Sequence, residues 1–265
     1  MRTLGIDLAS DPRKTAVCRV RWGRGAGVVD LLQVGAGDGE LLDAHAAADA
    51  TGIDSPFGWP AAFLAFLCGT SRLAADPLPW TGDHVRGLRY RATDLAVREL
   101  TGRWPLSVSS DLIAVVAMRC QGLLAGMGVR DRSGDGRVFE VYPAAALRRW
   151  GLQSTRYKGR AGRPVREEIV AALRARARWL QLSPAHASQL VESDDALDAL
   201  VAALSARAAA VGLTVSPREE QRHEAAREGW IAVPVEGSLE RLPTGRVHAR
   251  RLARRASARR PTQAG

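Results

Sequence analysis

Two short apolar runs end on the same triplet, Gly5-Ile6-Asp7 and Gly52-Ile53-Asp54. Two more acidic points follow: Glu140 in Phe139-Glu140-Val141-Tyr142-Pro143, and the helical opening Asp194-Asp195-Ala196-Leu197-Asp198-Ala199-Leu200. A fold that gathers these points holds four or five carboxylates together. Such a cluster repels itself and drives some of its pKa values upward unless cations are bound there. Hard divalent cations such as Mg²⁺ take oxygen ligands, so the pattern points to a metal site for phosphate chemistry.

A chain of 265 residues suffices for one large domain or two small ones with a sizeable core. Strand-like sequence begins at once, so no signal peptide is expected. No run of eighteen apolar residues occurs, since the most apolar helix, near Leu112 to Met127, is broken by Arg119 and Gln121. Cys18, Cys68 and Cys120 have neither disulfide-framework nor zinc-ligand spacing. A cytoplasmic, reduced protein is expected. The net charge of +10 lies at one end: residues 241–265 hold eight arginines and no acid, and subtracting eight leaves +2 for residues 1–240. The chain has 36 arginines against only Lys14 and Lys158. The tail therefore reads either as a non-sequence-specific contact to nucleic acid or as a product of genome base composition.

Alternation of apolar residues predicts strands over Arg2–Ala9, Thr15–Trp22 and Gly27–Val34, a helix over Glu40–Ala48 and a fourth strand over Ala50–Asp54. A helix follows Pro60, then a loop with Pro77, Pro79, Gly82 and Gly87, and a helix capped by Thr93 and ending near Leu100. The remaining expectations are a helix over Asp111–Leu124, a fifth strand over Arg137–Tyr142, and helices over Ala144–Trp150, Pro164–Leu182 and Asp194–Val211. Trp230–Val235 reads as one more short strand, with poor order beyond Gly237. This is the order of a ribonuclease-H-like α/β fold: a five-stranded mixed sheet, order 3-2-1-4-5, with flanking helices and a helical insertion at about 59–130. The expected domain spans 1–236, followed by an arginine-rich tail over 237–265. In that topology Asp7 and Asp54 end neighbouring parallel strands, at the edge where open α/β sheets bind ligands.

Each candidate has a plain structural reading beside the chemical one. Asp7 could fold back to make a turn with Ser10-Asp11-Pro12. Glycine before each Ile-Asp pair permits close backbone approach while the isoleucine enters the core. Asp194 and Asp195 suit the first turn of a helix, but Asp198 lies deeper and repels Asp194 at i, i+4. A cation beside that face removes the conflict, with Asp195 and Asp198 as ligands and Asp194 the rival to Asp195. Glu140 is either a ligand or a solvated strand end. Arg91 is unexplained by capping and could hold a phosphate bidentately. Lys158, in the basic loop Arg156–Arg163, is a second phosphate contact, or part of a solvated loop. The five histidines show no ligand spacing.

Gly5-Ile6-Asp7-Leu8-Ala9, Gly52-Ile53-Asp54-Ser55-Pro56, Arg91-x-Thr93-Asp94, Glu140-x-Tyr142-Pro143, Asp195-Ala196-Leu197-Asp198-Ala199-Leu200 and the ending Glu228-Gly229-Trp230-Ile231 together resemble the family called domain of unknown function 429. The likeness spans roughly residues 3–235, and its acidic helix is also similar to the last carboxylates of RuvC-type resolvases. That family is regarded as ribonuclease-H-like nucleases. The resemblance implies a metal-dependent nuclease of DNA or RNA in which Asp7, Asp54 and Asp198, with Asp195 or Glu140, hold two Mg²⁺ or Mn²⁺ ions. Arg91 and Lys158 would contact phosphate. The rivals are a nucleic-acid-binding or interaction protein without catalysis, and a phosphotransferase of the actin-like superfamily, which should show a second copy of the fold.

Overall fold

A computed structural model describes residues 1–70 and 81–245. Its strands are β1 (Arg2–Asp7), β2 (Ala16–Gly23), β3 (Ala26–Val34), β4 (Ala50–Asp54), β5 (Val138–Glu140) and β6 (Leu180–Gln181). They form one mixed sheet in the order β5-β4-β1-β2-β3-β6. β1, β2 and β3 are an antiparallel meander, while β4 is parallel to β1 and β5 to β4. Ten helices accompany the sheet among the described residues: α1 (Asp38–Ala46), α2 (Ala61–Thr70), α3 (Gly82–Arg89), α4 (Ala92–Thr101), α5 (Ala114–Gly126), α6 (Pro143–Arg149), α7 (Arg163–Arg176), α8 (Pro184–Glu192), α9 (Asp194–Ala210) and α10 (Arg222–Glu228). Helices α2 to α5 form the insertion between β4 and β5. None is long and apolar enough to cross a membrane.

Several local expectations need correction. The sheet has six strands, not five, because the helix expected through Leu182 ends at Arg176 and the chain then pairs Leu180 and Gln181 with Gly27 and Val28. Gly82 and Gly87 belong to α3, started by the Thr81 hydroxyl accepting from His84 N–H, rather than to a loop; Pro77 and Pro79 lie outside the described residues. Pro184 and the capping Ser183 start α8, where no helix was expected. Thr93 lies inside α4 and Arg91 precedes that helix; the Thr93 hydroxyl instead accepts from Ile231 N–H at 2.8 Å. Trp230–Val235 makes only isolated bridges, Ile231 to Glu140 and Pro234 to Thr214. Leu239 and Leu242, expected in the tail, are buried, and the Arg207 guanidinium donates to the carbonyls of Leu242 and Gly245. The tail beyond residue 245 lies outside the described residues.

The sheet separates two packed layers. On one face Leu4, Ile6, Ile53 and Val138 meet Leu41, Leu123 and Leu124 of α1 and α5. On the other lies α9, mostly apolar and buried from Ala196 to Ala210, as befits a central helix. Gly5 and Gly52 are paired across β1 and β4 and turn toward α9. A Cβ on Gly5 would lie 2.0 Å from the Ala199 carbonyl oxygen, and one on Gly52 would lie 2.6 Å from that of Ala202. Glycine in the strands and alanine in the helix let the two main chains touch.

Candidate functional site

That contact builds the acidic cluster. Side chains two apart share a face of a strand, so Asp7 follows Gly5, and Asp54 follows Gly52, toward α9. The two aspartates are register partners at the carboxyl ends of parallel strands. The bonds of the turn after β1 go to Asp11, which accepts from Arg13 N–H, and to Thr15, which accepts from Ala9 N–H, so Asp7 is not needed there. Asp198 comes up from α9, and one carboxylate oxygen of each of the three aspartates lies within 4.8 Å of the others. Asp195 stands at the edge, close enough for the Asp7 side chain to favour its charged form. Asp194 turns the other way, accepting from Gly159 N–H at 3.2 Å with Arg166 at 4.0 Å.

The electrostatics follow from this crowding. Burial and then Asp198 push Asp54 up to about 8, against the opposing pull of Lys158. The same pair of causes raises Asp7 well above its ordinary value. Asp198 is fully buried and is raised by that burial, although Lys158 and Tyr157 favour its charged form. Burial and Asp194 raise Asp195.

Both oxygens of Asp198 are occupied by a pair of residues adjacent to each other in the chain, Tyr157 and Lys158. The Tyr157 hydroxyl donates to Oδ1 at 3.0 Å and the Lys158 ammonium donates to Oδ2. Burial works against the Lys158 charge, but Asp198, Asp7 and Asp54 hold it protonated well above the usual lysine range. The buried Arg166 fixes this loop by donating to the carbonyls of Tyr157 at 2.6 Å, Gly159 at 2.7 Å and Val191 at 2.7 Å. Nothing in the sequence singles out Tyr157 or Arg166; the one local hint is that Tyr157 adjoins Lys158.

Glu140 and Arg91 stand apart from the cluster. Glu140 is the register partner of Ile53, so it shares the isoleucine's face rather than that of Asp54. Its two oxygens accept from Arg91 Nη1 and Nη2 at 2.9 and 2.8 Å, and Oε2 also accepts from Phe57 N–H at 2.9 Å. The solvated strand end weighed for Glu140 is therefore replaced by a buried ion pair. Arg91 spends its remaining N–H groups on both oxygens of Asp94 and on the Glu228 carbonyl. A guanidinium has five N–H donors, and none is left to bind a phosphate. Gly229 passes so close that a Cβ there would lie 2.4 Å from Glu140 Oε2. Glu228 accepts from the N–H groups of Ala61 and Ala92 at the starts of α2 and α4. Replacing Arg91 by Met should strand two buried carboxylates and cost about 3–5 kcal/mol in urea unfolding.

A cavity of about 390 Å³ opens over the cluster. Its lining includes Asp7, Asp54 and Asp198, an apolar wall of Leu106, Ile113 and Val116, and the polar groups of Tyr142, Arg156 and Lys158. Three carboxylate oxygens this close, with charges disfavoured by one another and by burial, form a donor set suited to a hard divalent cation. No curated protein and no solved structure matches the chain. The model of the family described as "Protein of unknown function (DUF429)" matches residues 5–222, which take in every acidic residue of the cluster, and the chain belongs to that family.

Proposed function

We propose that the chain is a divalent-cation-dependent phosphodiesterase acting on DNA or RNA, on a ribonuclease-H-like fold. The observation that carries this reading is the register of Asp7 with Asp54 beneath Asp198. It gathers three carboxylates from two parallel strand ends and one helix in the lining of a single cavity. The meander of β1 to β3 followed by parallel β4 and β5 supports the fold assignment. Asp7, Asp54 and Asp198 would hold Mg²⁺ or Mn²⁺, with Asp195 the ligand available to a second ion. A bound cation supplies Lewis acidity toward a phosphoryl oxygen and lowers the pKa of water. Lys158 and Arg156 face the cavity as cations for a phosphate, and the apolar wall limits water around it. Arg91 and Glu140 shape the cavity's edge as a buried pair.

The Lys158–Asp198 pair favours one other reading, in which the ammonium is the resident cation and the protein binds nucleic acid without cutting it. Mn²⁺ titration separates the two. A ligand bound by the native state alone raises the melting temperature, so the parent should gain stability with Mn²⁺. It should also cut at least one substrate in a panel of single-stranded, duplex and branched DNA and RNA. Asp7→Asn and Asp198→Asn should lose both responses. A parent that binds nucleic acid but neither responds to Mn²⁺ nor cleaves supports the second reading.

A further inference from the structure

We propose that Lys158 is a displaceable counter-ion: its ammonium holds Asp198 in the cation-free protein, gives way to a divalent cation, and then takes a tetrahedral anion, so that metal and phosphate load together. This rests on the cation reading above and extends it to how the site is filled.

The geometry makes exchange necessary. Asp198 is fully buried, and its oxygens are filled by the Tyr157 hydroxyl and the Lys158 ammonium. An ammonium and a divalent cation held by the same carboxylates would sit a few ångströms apart in a poorly screened site, where like charges repel strongly. One has to leave.

The geometry also makes exchange easy for Lys158 alone. Its partner has no exposed surface, yet the Lys158 side chain is 53% exposed, so it enters the cluster from the solvent side. Its ammonium lies 5.5 Å from the centroid of the Tyr157 ring. Tyr157 is buried and its carbonyl is held by Arg166, so the lysine can withdraw while the residue beside it stays. Rotation about its flexible stem suffices.

A withdrawn ammonium does not leave the cavity's surroundings. Lys158 and Arg156 both line it, and a phosphate entering there would replace Asp198 as the lysine's anionic partner. Anion binding then favours the state in which the metal seat is open. By reciprocity, metal binding favours the anion to the same degree. Lys158 therefore couples the two ligands, in addition to neutralising the acids.

The test is calorimetric titration with Mn²⁺ of the full-length parent, Lys158→Met and Lys158→Gln. Each is titrated in chloride and in sulfate at matched ionic strength, sulfate serving as a tetrahedral anion. Both variants should bind Mn²⁺ about tenfold more tightly than the parent in chloride, and sulfate should tighten Mn²⁺ about fivefold or more in the parent alone. Equal or weaker Mn²⁺ binding by the variants overturns the proposal, as does a sulfate effect of the same size in all three proteins. Binding by the variants but not by the parent supports displacement in its strongest form. If none of the three binds Mn²⁺, the cation reading fails and takes this proposal with it. Should both variants fail to fold, the sulfate effect on the parent decides, and its absence counts against the coupling.

Discussion

Gly5→Ala is expected to leave little or no soluble folded protein. The added carbon would stand 2.0 Å from the Ala199 carbonyl oxygen and 2.2 Å from Ala203 N, and both are backbone atoms of α9. No side-chain rotation relieves such an overlap; either β1 or α9 has to move. α9 is the buried centre of the molecule, so its displacement disturbs the packing of several elements at once. The expected cost exceeds about 4–5 kcal/mol, comparable with the whole stability of many domains at about 5–15 kcal/mol. Gly52→Ala, with a 2.6 Å approach to the Ala202 carbonyl oxygen, should be damaging to a lesser degree. Gly39→Ala is the control: it lies in α1 with nothing within 4 Å of the new carbon, and should gain about 0.4–1 kcal/mol. Soluble yield and thermal unfolding of the three variants check the ranking. A Gly5→Ala protein that melts like the parent would refute the main-chain contact between strand and helix.

Asp54→Asn should have the largest effect on function: the Mn²⁺-induced rise in melting temperature and any phosphodiesterase activity should both vanish. The same substitution should stabilise the metal-free protein, and the pH dependence gives the sign. With its folded pKa pushed up to about 8 from an ordinary 3.8, Asp54 binds its proton more tightly in the native state than in the unfolded chain. Its favourable contribution is complete below the unfolded value and is lost as pH rises through the folded one. Stability of the metal-free parent should therefore fall between about pH 4 and pH 8, by at most about 1.4 kcal/mol per pH unit from this group. An asparagine side chain cannot ionise, so the variant's profile over that window should be flatter, and at pH 8 the variant should melt above the parent. The slope will not vanish, because Asp7, Asp195 and Asp198 are raised as well. Equilibrium urea unfolding at intervals from pH 5 to pH 9, without metal, measures it. If the Asp54→Asn variant shows the parent's slope and keeps its Mn²⁺ response, Asp54 is not part of the cluster's electrostatics.

What could be read before the structure depended on the range of the interaction involved. Strand ends and the position of α9 follow from local alternation and helical spacing, and so does the meeting of Asp7, Asp54 and Asp198 once β1 and β4 are neighbours. The Gly-Ile-Asp triplet carries all three of its roles in the residues themselves: close approach, core and site. The face that Glu140 takes depends on a parallel register with Ile53, which no local pattern records. Arg91 reads from the sequence as a free phosphate donor because its partners Glu140 and Glu228 lie 49 and 137 residues away. Lys158 was found as a cation, but its attachment to Asp198 spans 40 residues and joins a loop to a helix. β6 escaped because two residues on a sheet edge carry no periodicity.

The buried knot at Arg91 has a consequence for how the chain comes to be folded. It binds residue 91 to residue 140 and to the carbonyl of residue 228, and the Glu228 side chain in turn closes the starts of α2 and α4. Until residue 228 arrives, Arg91 cannot be withdrawn from water with all its partners in place, and the N–H groups of Ala61 and Ala92 lack their acceptor. During synthesis from the N-terminus the meander of β1 to β3 can pair early, because its contacts are local. The insertion must wait, exposed and incomplete, for a segment encoded more than a hundred residues later. The last stretch of the described chain is thus the one that closes the structure, and a ribosome that stalls before it leaves the insertion's helix starts unsatisfied.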